Sequence, residues 1–228
     1  MNLKICIPLK AKSLPELLQK IDEASEKADI LELWLGDLSQ NEIDFDEIWK
    51  HKKTPFLLNC KGPKEQGGFS GTDEKKFKIL LEGAQKGAEY CDFDCEFDAK
   101  LLSKFIQEKK KAKLILSAHF FDETPHFDTL KDIAQRMKNS GADIVKIAAM
   151  ANSHEDLMTM LELTDFLKEQ KIPFISISMG ELGKPSRVLT PMNGGEMMFA
   201  AFSEAEKTAS GQMTVEEMRK IYEMIFGS

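Results

Sequence analysis

The sequence has few of the residues that mark metal, redox or disulfide-rich proteins. Its four cysteines, Cys6, Cys60, Cys91 and Cys95, form no CxxC pair, and its four histidines are scattered. Zinc and thiol-redox sites need such pairs or clusters, so neither kind of site is predicted. We expect reduced thiols, most of them buried in strands.

Long apolar runs are also missing. No segment has the roughly 20 apolar residues that a membrane helix needs, and the first residues do not resemble a secretory signal. We therefore expect a cytoplasmic protein with no membrane partner. The net charge of -7 disfavours nucleic acid as a partner. Such a protein can still bind a small anion through a few well-placed cations.

Short apolar segments alternate with amphipathic segments along the whole chain. Strands are predicted near residues 3–7, 30–35, 55–60, 90–96, 113–118, 143–148, 172–178 and 196–202. Helices are predicted over residues 14–28, 72–87, 99–111, 127–139, 154–170 and 214–226. The repeating unit is a strand followed by a helix.

This alternation predicts parallel strands joined by right-handed crossovers. Eight strands within 228 residues indicate an α/β protein with a (β/α)8 TIM barrel fold, as a single catalytic domain over 1–228. An open doubly wound sheet is the alternative. It is disfavoured because Pro8-Leu9-Lys10-Ala11, and not a glycine-rich phosphate turn, follows the first predicted strand.

Lys146 interrupts the apolar segment between Asp143 and Met150. Because side chains alternate along a strand, Val145 and Ile147 are expected to face the helices and Lys146 the barrel interior. Burial disfavours an ammonium, and a neutral amine can attack a carbonyl to form a Schiff base. A structural lysine paired with an inward acid is the alternative.

His119 ends the strand-like segment that begins at Lys113. Active-site groups of barrels gather at the carboxyl ends of the strands, and a histidine there can accept and donate protons at neutral pH. A histidine that only caps the strand is the alternative. The other histidines, His51, His126 and His154, have charged neighbours and are expected at the surface.

Further polar groups lie at the same predicted end of the sheet. Alternation puts Asp92, Asp94 and Glu96 of the fourth strand on one inward face, where they could hold Mg²⁺ or balance a buried lysine. We favour charge balance, so no metal is predicted. A glycine-containing loop after the seventh strand delivers Arg187, whose guanidinium suits a carboxylate.

In order along the chain, these segments resemble the type I 3-dehydroquinate dehydratases. Gly141-Ala142-Asp143-Ile144-Val145-Lys146-Ile147-Ala148 is similar to the family's Schiff-base strand, and Leu116-Ser117-Ala118-His119 to its histidine segment. Ser178-Met179-Gly180, Ser186-Arg187 and Gly211-Gln212 support the resemblance. It implies a cofactor-free lyase that dehydrates 3-dehydroquinate to 3-dehydroshikimate in the shikimate pathway of aromatic amino acid biosynthesis.

The resemblance also implies residue roles. Lys146 is expected to form the iminium at the C3 ketone, His119 to move the protons, and Glu65 to orient His119. Five further residues are expected to bind substrate. Arg187, Gln212 and Thr208 would hold its carboxylate, and Glu32 and Lys61 would face its ring hydroxyls. Family members are often dimers, so a homodimer is an inherited expectation.

Some positions depart from the family pattern. Where the family reads Glu-x-Arg-x-Asp, this chain has Glu32-Leu33-Trp34-Leu35-Gly36, and Lys61 stands where arginine is usual. Phe120 replaces a common acidic residue, while Asp37 could partly replace the lost acid. Two alternatives stay open. One is a Schiff-base class I aldolase-like lyase, which shares the lysine chemistry, and the other, favoured by these changes, is a catalytically altered or silent family member.

Overall fold

Strands and helices alternate from one end of the chain to the other. The computed structural model describes residues 4–39 and 42–227. The strands are β1 (Ile5–Leu9), β2 (Ile30–Trp34), β3 (Phe56–Asn59), β4 (Tyr90–Asp94), β5 (Lys113–Phe120), β6 (Ile144–Met150), β7 (Phe174–Met179) and β8 (Met198–Phe199). The helices are α1 (Leu14–Ala24), α2 (Phe45–Lys50), α3 (Asp73–Lys86), α4 (Ala99–Glu108), α5 (Phe127–Asn139), α6 (His154–Glu169), α7 (Ser186–Met192) and α8 (Val215–Phe226).

The strands follow one another through a single sheet. Their order is β7-β6-β5-β4-β3-β2-β1-β8, and the pairs β2–β3, β3–β4, β6–β7 and β1–β8 are parallel. Sequential parallel strands with a helix between neighbours are the topology of a (β/α)8 barrel. The predicted fold class is thus confirmed, and the open doubly wound alternative, which needs a reversal of strand order, is wrong.

The chain divides into two compact units. The early unit is Pro8–Leu116, and the late unit combines Met1–Ile7 with Ser117–Ser228. Within the late unit, β6 pairs with β7 so that Lys146 lies opposite Ile175. The Glu196 N–H donates to the Phe174 carbonyl at 2.9 Å, which joins the start of β8 to β7. The single catalytic domain over 1–228 stays a prediction.

Local sequence explains where the first helix begins and what it buries. The Ser13 hydroxyl accepts the Glu16 N–H, as expected of a helix N-cap, and Pro15 occupies the first turn. Leu17, Ile21 and Ala24 recur at helical spacing and are buried. The apolar face of α1 thus fixes its orientation on the sheet.

Among the differences from the sequence predictions are one strand boundary and two short helices. Strand β1 ends at Leu9, so Pro8 lies inside the strand, while residue 3 of the prediction lies outside the described residues. The six-residue helix α2 was missed because it is too short to show a helical period. Helix α7 was read as a loop because glycines precede it and Pro191 lies within it.

Candidate active site

Lys146 lies near the middle of β6, among side chains that are buried on both faces of the strand. Only 4% of the residue is exposed. Its Nζ lies 4.2 Å from the ring centroid of Phe199 on β8. Strands two apart in a flat sheet are separated by roughly 10 Å, so this contact requires both side chains on the concave face. The inward orientation predicted by alternation is therefore confirmed.

His119 lies near the end of β5 and is partly exposed. Its ring stacks on Phe121, with centroids 5.8 Å apart. The segment after the histidine is tied to the end of β6, because the Thr124 hydroxyl donates to the Met150 carbonyl at 2.7 Å. The imidazole thus lies at the end of the sheet where β6, the strand that carries Lys146, also ends.

Arg187 lies in the first turn of α7, not in a loop as predicted, and is 1% exposed. Its Nη1 donates to the Phe199 carbonyl at 3.1 Å and its Nη2 to the Ser210 carbonyl at 3.5 Å. Within residues 4–39 and 42–227, no carboxylate pairs with the guanidinium and its Nε has no hydrogen-bond partner. Burial lowers the pKa of Arg187 from 12.5 to about 10. A buried cation without a counter-charge is a site for an anion.

Neighbouring groups hold the backbone around Arg187. The Tyr222 hydroxyl of α8 donates to the Arg187 carbonyl at 3.0 Å. The Ser186 hydroxyl accepts the Ser178 N–H at 3.0 Å and donates to the Gly183 carbonyl at 2.8 Å. These bonds fasten the start of α7 to the end of β7, so the guanidinium is held in place before any ligand binds.

Gln212 is 2% exposed and closes the segment that begins at Thr208. Its Oε1 accepts the Thr208 N–H at 2.7 Å and the Thr208 hydroxyl at 3.3 Å. Because these bonds use only Oε1, the amide Nε2 of Gln212 can donate hydrogen bonds to a ligand. Gly211 has φ of +70°, and a Cβ there would lie 2.1 Å from the Gly180 carbonyl oxygen. Only glycine allows this approach, which holds Gln212 beside the loop that follows β7.

In the early unit, Lys61 is buried between two carboxylates. Its Nζ lies 2.7 Å from Glu65 Oε1 and 3.6 Å from Asp92 Oδ2. Asp92 thus balances a buried lysine, Lys61, as the sequence suggested for a carboxylate on this strand. Glu96 is exposed and lies beyond the end of β4, so its predicted place on an inward face is wrong.

Glu32 is buried on β2, and its Oε2 accepts the Trp34 indole N–H at 2.8 Å. Asp37, which the sequence offered as a replacement acid, accepts the Gly68 N–H at 2.7 Å. Two neighbours were missed. Asn59 is fully buried with no hydrogen-bond partner for Nδ2 in the described part of the chain, and the Lys10 ammonium lies 3.8 Å from the Trp34 ring centroid. No sequence pattern marked Lys10, since it directly follows a strand in which all five residues are buried.

The described residues contain no cluster of three or more His, Cys, Asp or Glu side chains that could hold a metal ion. Among the same residues, no helix is long and apolar enough to cross a membrane. Three of the four cysteines are buried, as predicted, and all four are thiols.

Sequential βα topology, a buried lysine on β6 and a histidine near the end of β5 are typical of barrel enzymes that form a Schiff base with a carbonyl substrate. The family model of the type I 3-dehydroquinases matches residues 5–228. The chain therefore belongs to the type I 3-dehydroquinase family and is a lyase.

Individual relatives agree with the family match. A 3-dehydroquinate dehydratase of Desulfotalea psychrophila is 34% identical over 225 residues, which cover 96% of each chain. Another from Methanothermobacter thermautotrophicus is 32% identical over 223 residues, covering 97% of this chain and 96% of the relative.

Solved structures share the fold. The 3-dehydroquinate dehydratase of Geobacillus kaustophilus aligns with a TM-score of 0.90 at 22% identity, covering 100% of this chain and 93% of that one. A type I enzyme of Clostridium difficile, solved with covalently modified comenic acid, aligns with a TM-score of 0.88 at 22% identity, covering 98% and 92%. The family match and the two relatives favour the dehydratase over the aldolase interpretation.

Proposed function

We propose that this chain dehydrates 3-dehydroquinate to 3-dehydroshikimate, a step of the shikimate pathway, through an iminium on Lys146. The observation that carries the proposal is the arrangement in the late unit. There a buried amine over Phe199 and a buried guanidinium on the Phe199 carbonyl lie close to the same residue of β8. A substrate with both a ketone and a carboxylate suits this pair.

The first steps use the lysine. The Lys146 amine adds to the C3 ketone, and loss of water from the carbinolamine gives the iminium. The Phe199 ring face supports the positive charge of the iminium, as it does an ammonium. The iminium withdraws electrons from the adjacent C2–H bond and so acidifies it. This electron sink is part of the protein, so the elimination requires no organic cofactor or metal.

The histidine then moves two protons. His119 removes a proton from C2 to give an enamine, and the electrons return to expel the C1 hydroxyl. His119 donates its proton to this leaving group, which departs as water. Hydrolysis of the conjugated iminium releases 3-dehydroshikimate and restores the amine. Glu65 orients His119 in this scheme, and Lys61 holds the charge of Glu65 at 2.7 Å.

The substrate carboxylate is held by Arg187, with Gln212 and Thr208 beside it. The guanidinium is already fixed by carbonyls and excluded from water, so an incoming carboxylate meets a preformed cation. Glu32 and Lys61 serve the ring hydroxyls. Residence in the cytoplasm and a homodimeric state stay predictions, and size-exclusion chromatography with light scattering tests the second.

The test is a product assay on the purified chain. Conversion of 3-dehydroquinate is followed by the ultraviolet absorbance of the conjugated enone product and checked by mass spectrometry. We expect turnover by the native chain and about 10²-fold or greater loss of kcat in His119→Ala. His126→Ala, which changes an exposed histidine, is the matched control. No enone from the native chain would overturn the proposed function, and normal turnover by His119→Ala would reassign the base.

A further inference from the structure

The segment that departs from the family pattern, residues 34–37, lies beside one lysine, Lys10. Trp34 stands where the pattern has arginine, and the Lys10 ammonium lies 3.8 Å from its ring centroid. Lys10 directly follows β1, and Trp34 ends β2, so adjacent strands bring the two side chains together. A positive charge is therefore present beside residue 34 although the arginine is not.

The other departures fit the same rearrangement. Gly36 stands where the pattern has aspartate, and a Cβ at Gly36 would lie 2.7 Å from Phe69 Cβ. The loop after Lys61 therefore packs directly on residue 36. Asp37 accepts the Gly68 N–H of that loop at 2.7 Å, and the Gln66 carbonyl accepts from Lys10 Nζ at 2.9 Å. Trp34 and the Gln66 carbonyl thus form a seat for the Lys10 ammonium, and Gly36 and Asp37 hold the loop that supplies this carbonyl.

The charge of Lys10 is only partly used by the protein. Burial lowers the pKa of Lys10, against the opposing influence of Asp37 and Glu32. In the described ranges, no carboxylate lies within salt-bridge distance of Lys10, and the Gln66 carbonyl is its one hydrogen-bond acceptor. An ammonium has three donors, so Lys10 can bind oxygen atoms of a ligand without giving up its place over the ring.

We propose that Lys10, seated over Trp34, is a substrate-binding residue that donates hydrogen bonds to the ring hydroxyls of the substrate, in place of the arginine of the family pattern. The inference rests on the proposed function. Glu32 lies beside the same ring, because its Oε2 accepts the Trp34 indole N–H. In this proposal its carboxylate accepts hydrogen bonds from the ring hydroxyls. Asn59 lies opposite Trp34 in the pairing of β2 with β3, so its buried amide Nδ2 adds a donor at the ends of these two strands.

The test compares Lys10→Met with Lys12→Met, which removes an exposed lysine two positions along. Lys10→Met should raise the KM for 3-dehydroquinate by about 10-fold to 100-fold, the usual cost of losing a hydrogen bond from a charged donor, and leave kcat within about threefold. Lys12→Met should match the native chain. Lys10→Arg keeps the charge and should keep KM within about fivefold.

A competing analogue that keeps the C1 hydroxyl but lacks the C4 and C5 hydroxyls of the substrate, 1-hydroxy-3-oxocyclohexane carboxylate, separates direct binding from an effect of the Gln66 loop. Its inhibition constant should be the same for the native chain and Lys10→Met. A native KM in Lys10→Met would overturn the inference, and so would an equal loss for substrate and inhibitor. Both results require active native protein, so they differ from failure of the proposed function, in which the native chain makes no enone.

Discussion

Replacing Arg187 with methionine separates a substrate-binding arginine from a structural one. Methionine is unbranched and apolar, so it fills much of the same space without the charge. The matched control is Arg136→Met, which removes an exposed arginine of α5. If Arg187 serves the substrate, its removal should affect binding much more than folding.

The expected effect on folding is small because two contributions oppose each other. A pKa lowered from 12.5 to about 10 corresponds to a burial cost of about 3 kcal/mol, since one pKa unit is worth about 1.36 kcal/mol. The hydrogen bonds to the Phe199 and Ser210 carbonyls return about 1 kcal/mol each. We expect Arg187→Met to be as stable as the native chain or up to about 2 kcal/mol more stable in urea unfolding.

The sign of the pH dependence follows from the same pKa. The folded-state pKa of Arg187 lies below its unfolded value, but both values lie well above neutral pH. The guanidinium is therefore charged in the folded and the unfolded state at neutral pH, and the full burial cost is present. The cost falls only when the pH exceeds about 10. The stability difference between Arg187→Met and the native chain should therefore be constant between about pH 6 and 9.

The expected effect on binding is large. Truncating one partner of a buried, hydrogen-bonded charge pair costs about 2–5 kcal/mol, which is at least about 30-fold in KM. Steady-state kinetics measure this, and product binding should raise the melting temperature of the native chain but not of the variant. An Arg187→Met chain that keeps the native KM, or loses more than about 2 kcal/mol of stability, would show that Arg187 is not a substrate-binding residue.

Three further outcomes are expected. Gly211→Ala should lose about 1–3 kcal/mol of stability and raise KM, because its Cβ would meet the Gly180 carbonyl; a native KM would contradict the placement of Gln212. Tyr222→Phe should lose about 1 kcal/mol in urea unfolding, since it removes the bond to the Arg187 carbonyl, and an unchanged stability would count against that bond. Iodoacetamide at about pH 8 should label Cys95 before the three buried cysteines, because burial raises the pKa of Cys60 to about 12 and that of Cys91 further, and peptide mapping that finds Cys60 labelled first would refute this.

Much of the fold could be predicted because each buried strand is an apolar run between helical patterns. Lys146 stood out for the same reason, since a lysine inside such a run must be buried. Helix α7 could not be predicted, because Pro191 hides its period and tertiary contacts such as the bond from Tyr222 hold it in place. Arg187 was consequently placed in a loop, and its burial in the first turn of α7 was not foreseen.

The ion pairs of the early unit depend on contacts that the sequence pattern does not encode. Lys61 and Glu65 are four residues apart, yet they meet because a short 3-10 helix, Pro63–Glu65, turns the loop back. Lys10 resembled an ordinary lysine after a strand. Its position over Trp34 follows from the pairing of neighbouring strands, which only the three-dimensional structure reveals.

The most direct test of the account is reductive trapping of the covalent intermediate. The purified chain is incubated with 3-dehydroquinate and borohydride, digested and analysed by peptide mass spectrometry, beside Lys146→Met and the exposed-lysine control Lys138→Met. We expect one substrate adduct on the peptide that contains Lys146, in the native chain and in Lys138→Met, and none in Lys146→Met. An adduct on another lysine, or undiminished enone formation by Lys146→Met, would contradict it.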